Sequence, residues 1–122
     1  MILLDTQAFL WIEQRRPRAR ALLRIDRRLF ISPAMLLELQ VLHEAGRLRL
    51  PSGALESIAH DERWVLDEPP SGAWFLQAAS ISWTRDPFDR LLAAHAQLRG
   101  WRLATADGNS LQHLGAGGSL EL

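Results

Sequence analysis

Short apolar segments alternate with helix-like segments along this chain, and this alternation restricts the fold more than any other feature. The apolar segments are predicted strands at residues 1–4, 29–31, 64–66 and 101–105, with a weaker fifth at 119–122. The segments between them are predicted helices at residues 6–11, 17–26, 33–45, 52–60, 72–81 and 87–100. Strand–helix–strand units pair their strands in parallel through right-handed crossovers. The sequence therefore predicts an α/β fold, a three-layer α/β/α sandwich with a parallel sheet of about five strands.

The length of the chain, 122 residues, fits a single domain over residues 1–122, because one domain commonly takes roughly 100–200 residues. The glycine-rich residues 115–118 are predicted to be its only flexible segment. No apolar run approaches the roughly 18 residues that a membrane span needs, and the N-terminus does not resemble a signal peptide. We therefore expect a cytoplasmic protein that does not bind membranes.

The composition excludes some sites and suggests another. The chain has no cysteine, which excludes disulfides, thiolate zinc sites and a thiol nucleophile. All 14 basic residues are arginines, and seven of them lie between Arg15 and Arg28. This stretch is either a solvated helix face or a phosphate-binding edge, because guanidinium groups bind phosphate through paired hydrogen bonds. The histidines lack metal-ligand spacing and are predicted to be structural or exposed; they are His43, His60, His95 and His113.

Four acidic residues are predicted to lie near one edge of the sheet. Asp5 follows the first strand and Asp107 follows the fourth, while Glu38 and Asp89 lie in the first turns of helices that start from that edge. Ligands of parallel α/β sheets bind beyond the carboxyl ends of the strands. Carboxylates packed there repel one another, and Mg²⁺ or Mn²⁺ relieves the repulsion because these cations prefer oxygen ligands. The pattern predicts a metal-dependent catalytic site.

Each of these acids also has a structural interpretation. Asp5 could cap the first helix, and Asp107 could form a turn before Gly108. Glu38 is harder to explain as a surface residue, because its neighbours one turn away on the helix are all apolar: Ala34, Met35, Val41 and Leu42. An unpaired acid on a core-facing surface is costly, which favours a functional role for Glu38.

The segment from Asp86 to Asp89 contains two acids with different predicted roles. Asp86 precedes Pro87 and is the natural N-cap of the helix that follows. Asp89 lies on the helix face that continues through the apolar residues Leu92, Ala93 and Ala96. The spacing therefore predicts that Asp89 faces the metal site and that Asp86 only supports it.

Several of these segments, taken together, resemble the PIN-domain ribonucleases, in particular the VapC-type toxins of bacterial toxin–antitoxin pairs. The resemblance covers nearly the whole chain, and its most specific part is the run Asp-Pro-Phe-Asp-Arg-Leu-Leu-Ala-Ala that starts at Asp86. The other parts are Met1 to Thr6, Ser32-Pro33 followed by Glu38, and Leu103 to Asp107. Relatives often carry histidines where this chain has Gln7 and Thr84, which affects the expected substrate preference rather than the set of acids.

The resemblance implies a magnesium- or manganese-dependent endoribonuclease that forms homodimers and is inhibited by a cognate antitoxin protein. It assigns the catalytic roles to Asp5, Glu38, Asp89 and Asp107, and the metal to Asp5, Asp89 and Asp107. Thr6 and Thr105 match flanking hydroxyl positions that help to orient the site. The residues expected to contact RNA are Arg15, Arg16, Arg85 and Arg90.

Other functions remain open at the level of sequence. A phosphoacceptor receiver domain would need a lysine near the site, and a haloacid-dehalogenase-type phosphatase would need an aspartate at the position of Gln7; both are absent. The remaining alternatives are a PIN-like module that binds a partner and has little activity, or an RNA-processing nuclease without an antitoxin.

Overall fold

The computed structural model describes residues 1–24 and 28–122, whose helices and strands form an α/β fold around one sheet. Its parallel sheet has the strand order β3-β2-β1-β4-β5. The strands are β1 (Ile2–Leu4), β2 (Leu29–Ile31), β3 (Val65–Leu66), β4 (Arg102–Thr105) and β5 (Ser119–Glu121). The predicted five-stranded parallel sheet is confirmed.

Six α-helices surround the sheet in the described part of the chain: α1 (Thr6–Glu13), α2 (Pro33–Glu44), α3 (Ala54–Ala59), α4 (Ser71–Ala79), α5 (Pro87–Arg99) and α6 (Gly108–Gly118). Every residue of β1 and β2 is buried. Since successive side chains of a strand point to opposite faces, both faces of the sheet must be covered, as the predicted sandwich requires. None of the described helices is long and apolar enough to cross a membrane.

The Arg-rich segment is a 3₁₀ helix (Pro17–Leu23) rather than the predicted α-helix. Pro17 occupies its first turn, where a missing N–H is tolerated. Only Ala19 and Leu22 of this helix are buried, so it offers the core a narrow apolar contact. The predicted end of the helix near Asp26 lies outside the described residues.

The C-terminal region differs from its prediction. Helix α6 was not predicted, and it includes the residues 115–118 that were expected to be flexible. The low helix propensity of its four glycines hides this helix from sequence analysis. Only Gly115 is non-helical, with φ 71° and ψ 179°, a conformation that favours glycine. The hydroxyl of Ser119 donates a hydrogen bond to the Gly115 carbonyl at 2.6 Å, just before β5 pairs with β4.

The helix N-termini position the acidic residues. Asp5, Asp86 and Asp107 are the N-caps of α1, α5 and α6, and Ser32 is the N-cap of α2. Asp5 directly follows β1, and its backbone N–H donates to the Ala104 carbonyl of β4 at 3.1 Å. The neighbouring strands β1 and β4 therefore direct the starts of α1 and α6 to the same edge of the sheet.

Candidate active site

The four predicted acids Asp5, Glu38, Asp89 and Asp107 all line one cavity of about 380 Å³, which we call the acidic pocket. They come from four different places in the chain: the N-caps of α1 and α6, the second turn of α2 and the first turn of α5. The remaining lining residues are Thr6, Gln7, Leu10, Leu42, Arg47, Leu92 and Ala106. The pocket is thus a carboxylate cluster with partly apolar walls.

Asp5 and Asp107 each combine a capping role with a place in the pocket. One oxygen of Asp5, Oδ1, accepts a hydrogen bond from the Ala8 backbone N–H at 2.7 Å. Oδ2 of Asp107 accepts from the backbone N–H and the hydroxyl of Ser110, both at 2.9 Å. These bonds hold the two carboxylates in place, so the structural and functional interpretations of these acids do not exclude each other.

Two threonines orient the acids. The Thr6 hydroxyl donates a hydrogen bond to Oε1 of Glu38 and so connects α1 to α2. Thr105 is fully buried beneath the pocket; its hydroxyl oxygen accepts from the Asp107 backbone N–H at 3.0 Å and lies beside the Asp5 carboxylate. Neither hydroxyl needs to touch a ligand to fix the geometry of its neighbouring acid.

Asp86 and Asp89 are separated by the structure into two roles. Oδ1 of Asp86 accepts from the backbone N–H groups of Phe88 at 2.8 Å and Asp89 at 3.1 Å, which makes it the N-cap of α5. Asp86 is exposed and is not among the residues that line the acidic pocket. Asp89 is half-buried and lines the pocket beside Leu92. The cap is therefore Asp86, and the acid that faces the pocket is Asp89.

The electrostatics of the pocket favour an added cation. Burial raises the pKa of Asp89, and repulsion from Asp86, Asp107, Glu38 and Asp5 raises it further, to about 7. Burial also raises the pKa of Asp5, to about 6, against the effect of its hydrogen bonds with Thr105 and Ala8. The pKa of Glu38 is raised by burial and by Asp86, although Thr6 and Arg47 lower it in part. A positive ion in the pocket would remove the repulsion.

The chemistry of the donor set fits a hard divalent cation. Within residues 1–24 and 28–122, no group of three or more histidine, aspartate or glutamate side chains is arranged so that it could hold a metal ion. Mg²⁺ does not require such a group, because it usually binds one or two carboxylates and completes its octahedron with waters and phosphate oxygens. The mutual repulsion of the acids therefore says more about what this pocket binds than the lack of a complete ligand group does. Carboxylate oxygens are the ligands that Mg²⁺ and Mn²⁺ prefer.

Arg47 is a pocket residue that the sequence analysis missed. The chain folds back after α2 through Gly46, whose φ is 75°, and the Arg47 backbone N–H donates to the Leu42 carbonyl at 2.9 Å. This turn places an exposed guanidinium on the lining of the acidic pocket. The only signal in the sequence is the helix-ending glycine followed by arginine, which does not reveal where the side chain lies.

None of the four arginines that were expected to contact RNA lines the acidic pocket. Arg85 is exposed, and Nε of Arg90 donates to the Thr84 carbonyl at 2.8 Å. Arg15 and Arg16 line a separate cavity together with Arg20 and Arg63, and we call it the arginine cavity.

This chain resembles solved structures in fold at low sequence identity. No curated protein matches its sequence at significant similarity. Among the solved structures that share its fold is a toxin–antitoxin complex from Klebsiella pneumoniae, with a TM-score of 0.71 and 16% identity; the match covers 98% of this chain and 96% of that chain. FitAcB from Neisseria gonorrhoeae matches with a TM-score of 0.59 and 23% identity, over 100% of this chain and 96% of that chain. FitAB bound to IR36 DNA fragment matches with a TM-score of 0.60 and 21% identity, over 99% of this chain and 94% of that chain.

The PIN domain family model matches residues 2–116, which is almost the whole chain. This match includes the four acids of the pocket and the strands and helices that position them. PIN domains are generally nucleases. The chain therefore belongs to the PIN domain family.

Proposed function

We propose that this protein is a metal-dependent endoribonuclease that acts as the toxin of a toxin–antitoxin pair and uses Mg²⁺ or Mn²⁺. The observation that carries the proposal is the acidic pocket, where burial and repulsion raise the pKa of Asp89 to about 7. A cluster of mutually repelling carboxylates is costly unless a cation is bound, so its presence in a PIN domain supports metal-dependent hydrolysis.

The residues of the pocket have different roles in this proposal. Asp5, Asp89 and Asp107 would surround the metal, with one or two of them as direct ligands and the rest contacting it through bound water, and Glu38 would complete the catalytic set of carboxylates. The bound ion would stabilise the charge that develops on the scissile phosphate. Arg47 is the basic residue of the pocket lining, and its guanidinium would bind a phosphate oxygen of the substrate. Thr6 and Thr105 keep Glu38 and Asp5 in position through their hydroxyl groups.

The toxin assignment concerns partners as well as chemistry. We propose a homodimer in the cytoplasm that is inhibited by a small cognate antitoxin. One of the structures with this fold is a toxin–antitoxin complex, and the fold similarity extends over 98% of this chain. The apolar residues Leu10 and Leu42 beside the carboxylates suit an inhibitor segment that carries both apolar and basic side chains.

The nuclease activity is tested by incubating the purified protein with total RNA in Mg²⁺, in Mn²⁺ and in EDTA, and then mapping the cut ends. We expect cleavage with either metal and none in EDTA. Unchanged cleavage in EDTA would contradict the mechanism, and no cleavage with either metal would favour a binding module with little activity.

The toxin assignment needs a separate experiment. The chain is expressed with and without the product of the gene next to it, and the purified material is analysed by light scattering. We expect a dimer that co-purifies with the small partner and whose RNA cleavage the partner inhibits. An active monomer that ignores the partner would indicate an RNA-processing nuclease instead.

A further inference from the structure

The arginine cavity lies at the opposite end of α1 from the acidic pocket. Asp5 caps the start of this helix and Arg15 follows its end. The eight residues of α1 lie between them, and the helix is roughly 12 Å long. The arginine cavity has a volume of about 550 Å³ and is the larger of the two. It is therefore a separate site rather than the rim of the acidic pocket.

The guanidinium groups of the cavity differ in whether a carboxylate neutralises their charge. Arg63 contacts Glu13 at 2.6 Å and Asp61 at 2.9 Å, and it stacks over Trp64 with its central carbon 4.4 Å from the ring centroid. Within the described part of the chain, no carboxylate lies within ion-pairing distance of Arg15, Arg16 or Arg20. The cavity thus combines one rigidly held cation with three whose charge is not neutralised by a described carboxylate.

The backbone of the cavity is held in an unusual conformation. Arg15 has φ 56°, in the left-handed region that side chains other than glycine and asparagine rarely adopt. Hydrogen bonds hold this turn, from the Arg15 N–H to the Ile12 carbonyl at 3.1 Å and from the Arg16 N–H to the Trp11 carbonyl at 2.9 Å. These two bonds are the pair that commonly ends a helix on a left-handed residue, so the C-terminus of α1 places the consecutive residues Arg15 and Arg16 on the lining of one cavity.

The floor of the cavity is apolar. Ile12 and Ala19 are buried, and Leu23 is 49% exposed at the edge. The rim carries four guanidinium groups and one carboxylate, Glu13, which pairs with Arg63. Apolar surface with this excess of positive charge matches a nucleotide, whose base or ribose packs on the floor while its phosphates bind the rim. Arg18 is excluded from this set because it stacks over Trp11 and donates to the Leu122 carbonyl at 2.6 Å.

We propose that the arginine cavity binds the phosphate backbone of single-stranded RNA and anchors the substrate of the acidic pocket. This inference rests on the proposed ribonuclease function. A stacked strand rises about 3.4 Å per nucleotide, so the separation along α1 corresponds to roughly three to four nucleotides. The separation also exceeds the screening length of about 8–10 Å at physiological salt, so the arginines must contact the RNA directly to act on it.

Binding is measured by fluorescence anisotropy with a labelled oligoribonucleotide of about twelve nucleotides, without divalent ions and over a range of salt concentrations. The test variant is Arg15→Asn/Arg20→Gln, in which asparagine tolerates the positive φ at position 15. The control variant is Arg49→Gln/Arg102→Gln, which removes the same charge from exposed positions outside the cavity. Arg20→Gln alone is a second test that leaves the turn at position 15 unchanged.

In the test variant we expect the dissociation constant to rise about tenfold, and the slope of log affinity against log salt to fall by about 1.4. Arg20→Gln alone should lower the slope by about 0.7. The control should stay within about twofold of the wild type. In cleavage assays with Mg²⁺, the test variant should raise KM and leave kcat unchanged, because the arginines do not contact the scissile phosphate.

Four other outcomes would overturn the proposal, and a fifth would contradict only the ribonuclease function on which it rests. Equal losses in test and control variants would indicate a general charge effect, and no loss would show that the cavity does not bind RNA. A fall in kcat as large as the rise in KM would place the arginines in the chemical step. Tighter binding of poly-glutamate than of RNA of equal charge would indicate a protein partner. A wild type that binds RNA through these arginines but never cuts it would refute only the ribonuclease function.

Discussion

Two half-buried aspartates of this protein, Asp89 and Asp67, have opposite electrostatic surroundings. Asp89 faces other carboxylates, and its pKa is raised by burial and by their repulsion to about 7. Burial would also raise the pKa of Asp67, but hydrogen bonds from Arg99 and His95 outweigh it and lower the pKa. Asp67 contacts Nε of Arg99 at 2.8 Å and Nε2 of the fully buried His95 at 2.7 Å.

The difference separates an acid whose charge is balanced within the fold from one whose charge is not. The Asp67 carboxylate, Arg99 and His95 balance one another and tie the segment after β3 to α5, so they contribute to the fold without a ligand. The acidic pocket has no such balance: several carboxylates face one rim guanidinium, Arg47. Because natural folds rarely keep uncompensated repulsion, the pocket is best explained by a positively charged ligand.

The largest expected effect comes from removing one charge of the pocket. Asp89→Asn preserves the shape of the side chain but removes one of the carboxylates proposed to hold the metal, so we expect cleavage to fall about 10²–10⁴-fold. The fold should stay intact, because the carboxylate of Asp89 is not paired with a described cation. The rate of cleavage of a labelled RNA in Mg²⁺ measures the loss of activity, and circular dichroism checks that the fold is intact.

Asp86→Asn is the matched control for this variant. Asparagine keeps an oxygen that can accept from the Phe88 and Asp89 backbone N–H groups, so stability should change little and cleavage should persist. If Asp86→Asn abolishes cleavage while Asp89→Asn cuts normally, the assigned roles of the two acids are reversed.

The second-largest effect is expected at Asp67, whose carboxylate is paired with Arg99 and His95. Asp67→Asn weakens two charge-assisted hydrogen bonds around the buried His95, so the free energy of unfolding should fall by about 2 kcal/mol. Thermal denaturation should show a Tm lower by several degrees, while cleavage below that temperature stays normal. The control is Asp61→Asn in an exposed pair with Arg63, which should cost less than about 1 kcal/mol. Equal Tm losses in both variants would mean that the contacts of Asp67 stabilise the fold no more than an exposed ion pair does.

The sequence predicted the sheet and the convergence of the acids because both follow from periodicity and topology. Asp5 and Asp107 follow adjacent parallel strands, so their proximity needs no side-chain detail. The same reasoning failed where glycines hide a helix, as at α6 from Gly108 to Gly118. It also missed Arg47, because the turn after Gly46 decides where that side chain lies and helical periodicity ends before it.

A third, smaller effect is expected from Arg47, the cation at the rim of the acidic pocket. Arg47→Gln removes the guanidinium that is proposed to contact a substrate phosphate, so we expect KM for RNA to rise about tenfold while kcat changes less. The control is Arg49→Gln, two residues away and also exposed, which is not among the residues of the acidic pocket. Steady-state kinetics at saturating Mg²⁺ measure both variants. Equal kinetic changes in the two would mean that Arg47 acts only through the net charge.

The smallest effect is the pH dependence of stability without metal. The pKa values of Asp5 and Asp89 are about 6 and about 7 in the folded protein, against the ordinary aspartate pKa of 3.8 in the unfolded chain. Between about pH 4 and pH 7 the folded state therefore binds more protons than the unfolded state, and stability falls as pH rises. His95 contributes in the opposite direction, because its lowered pKa makes the folded state less stable as pH falls below about 6.5.

The contribution of Asp89 must therefore be isolated by comparison with Asp89→Asn, which keeps His95 unchanged. We expect the Tm of this variant to equal that of the wild type near pH 4 and to exceed it by a few degrees at pH 8, both in EDTA. Mg²⁺ at pH 8 should raise the Tm of the wild type more than that of the variant. A Tm difference that is the same at every pH would show that the carboxylates of the pocket do not repel one another in solution.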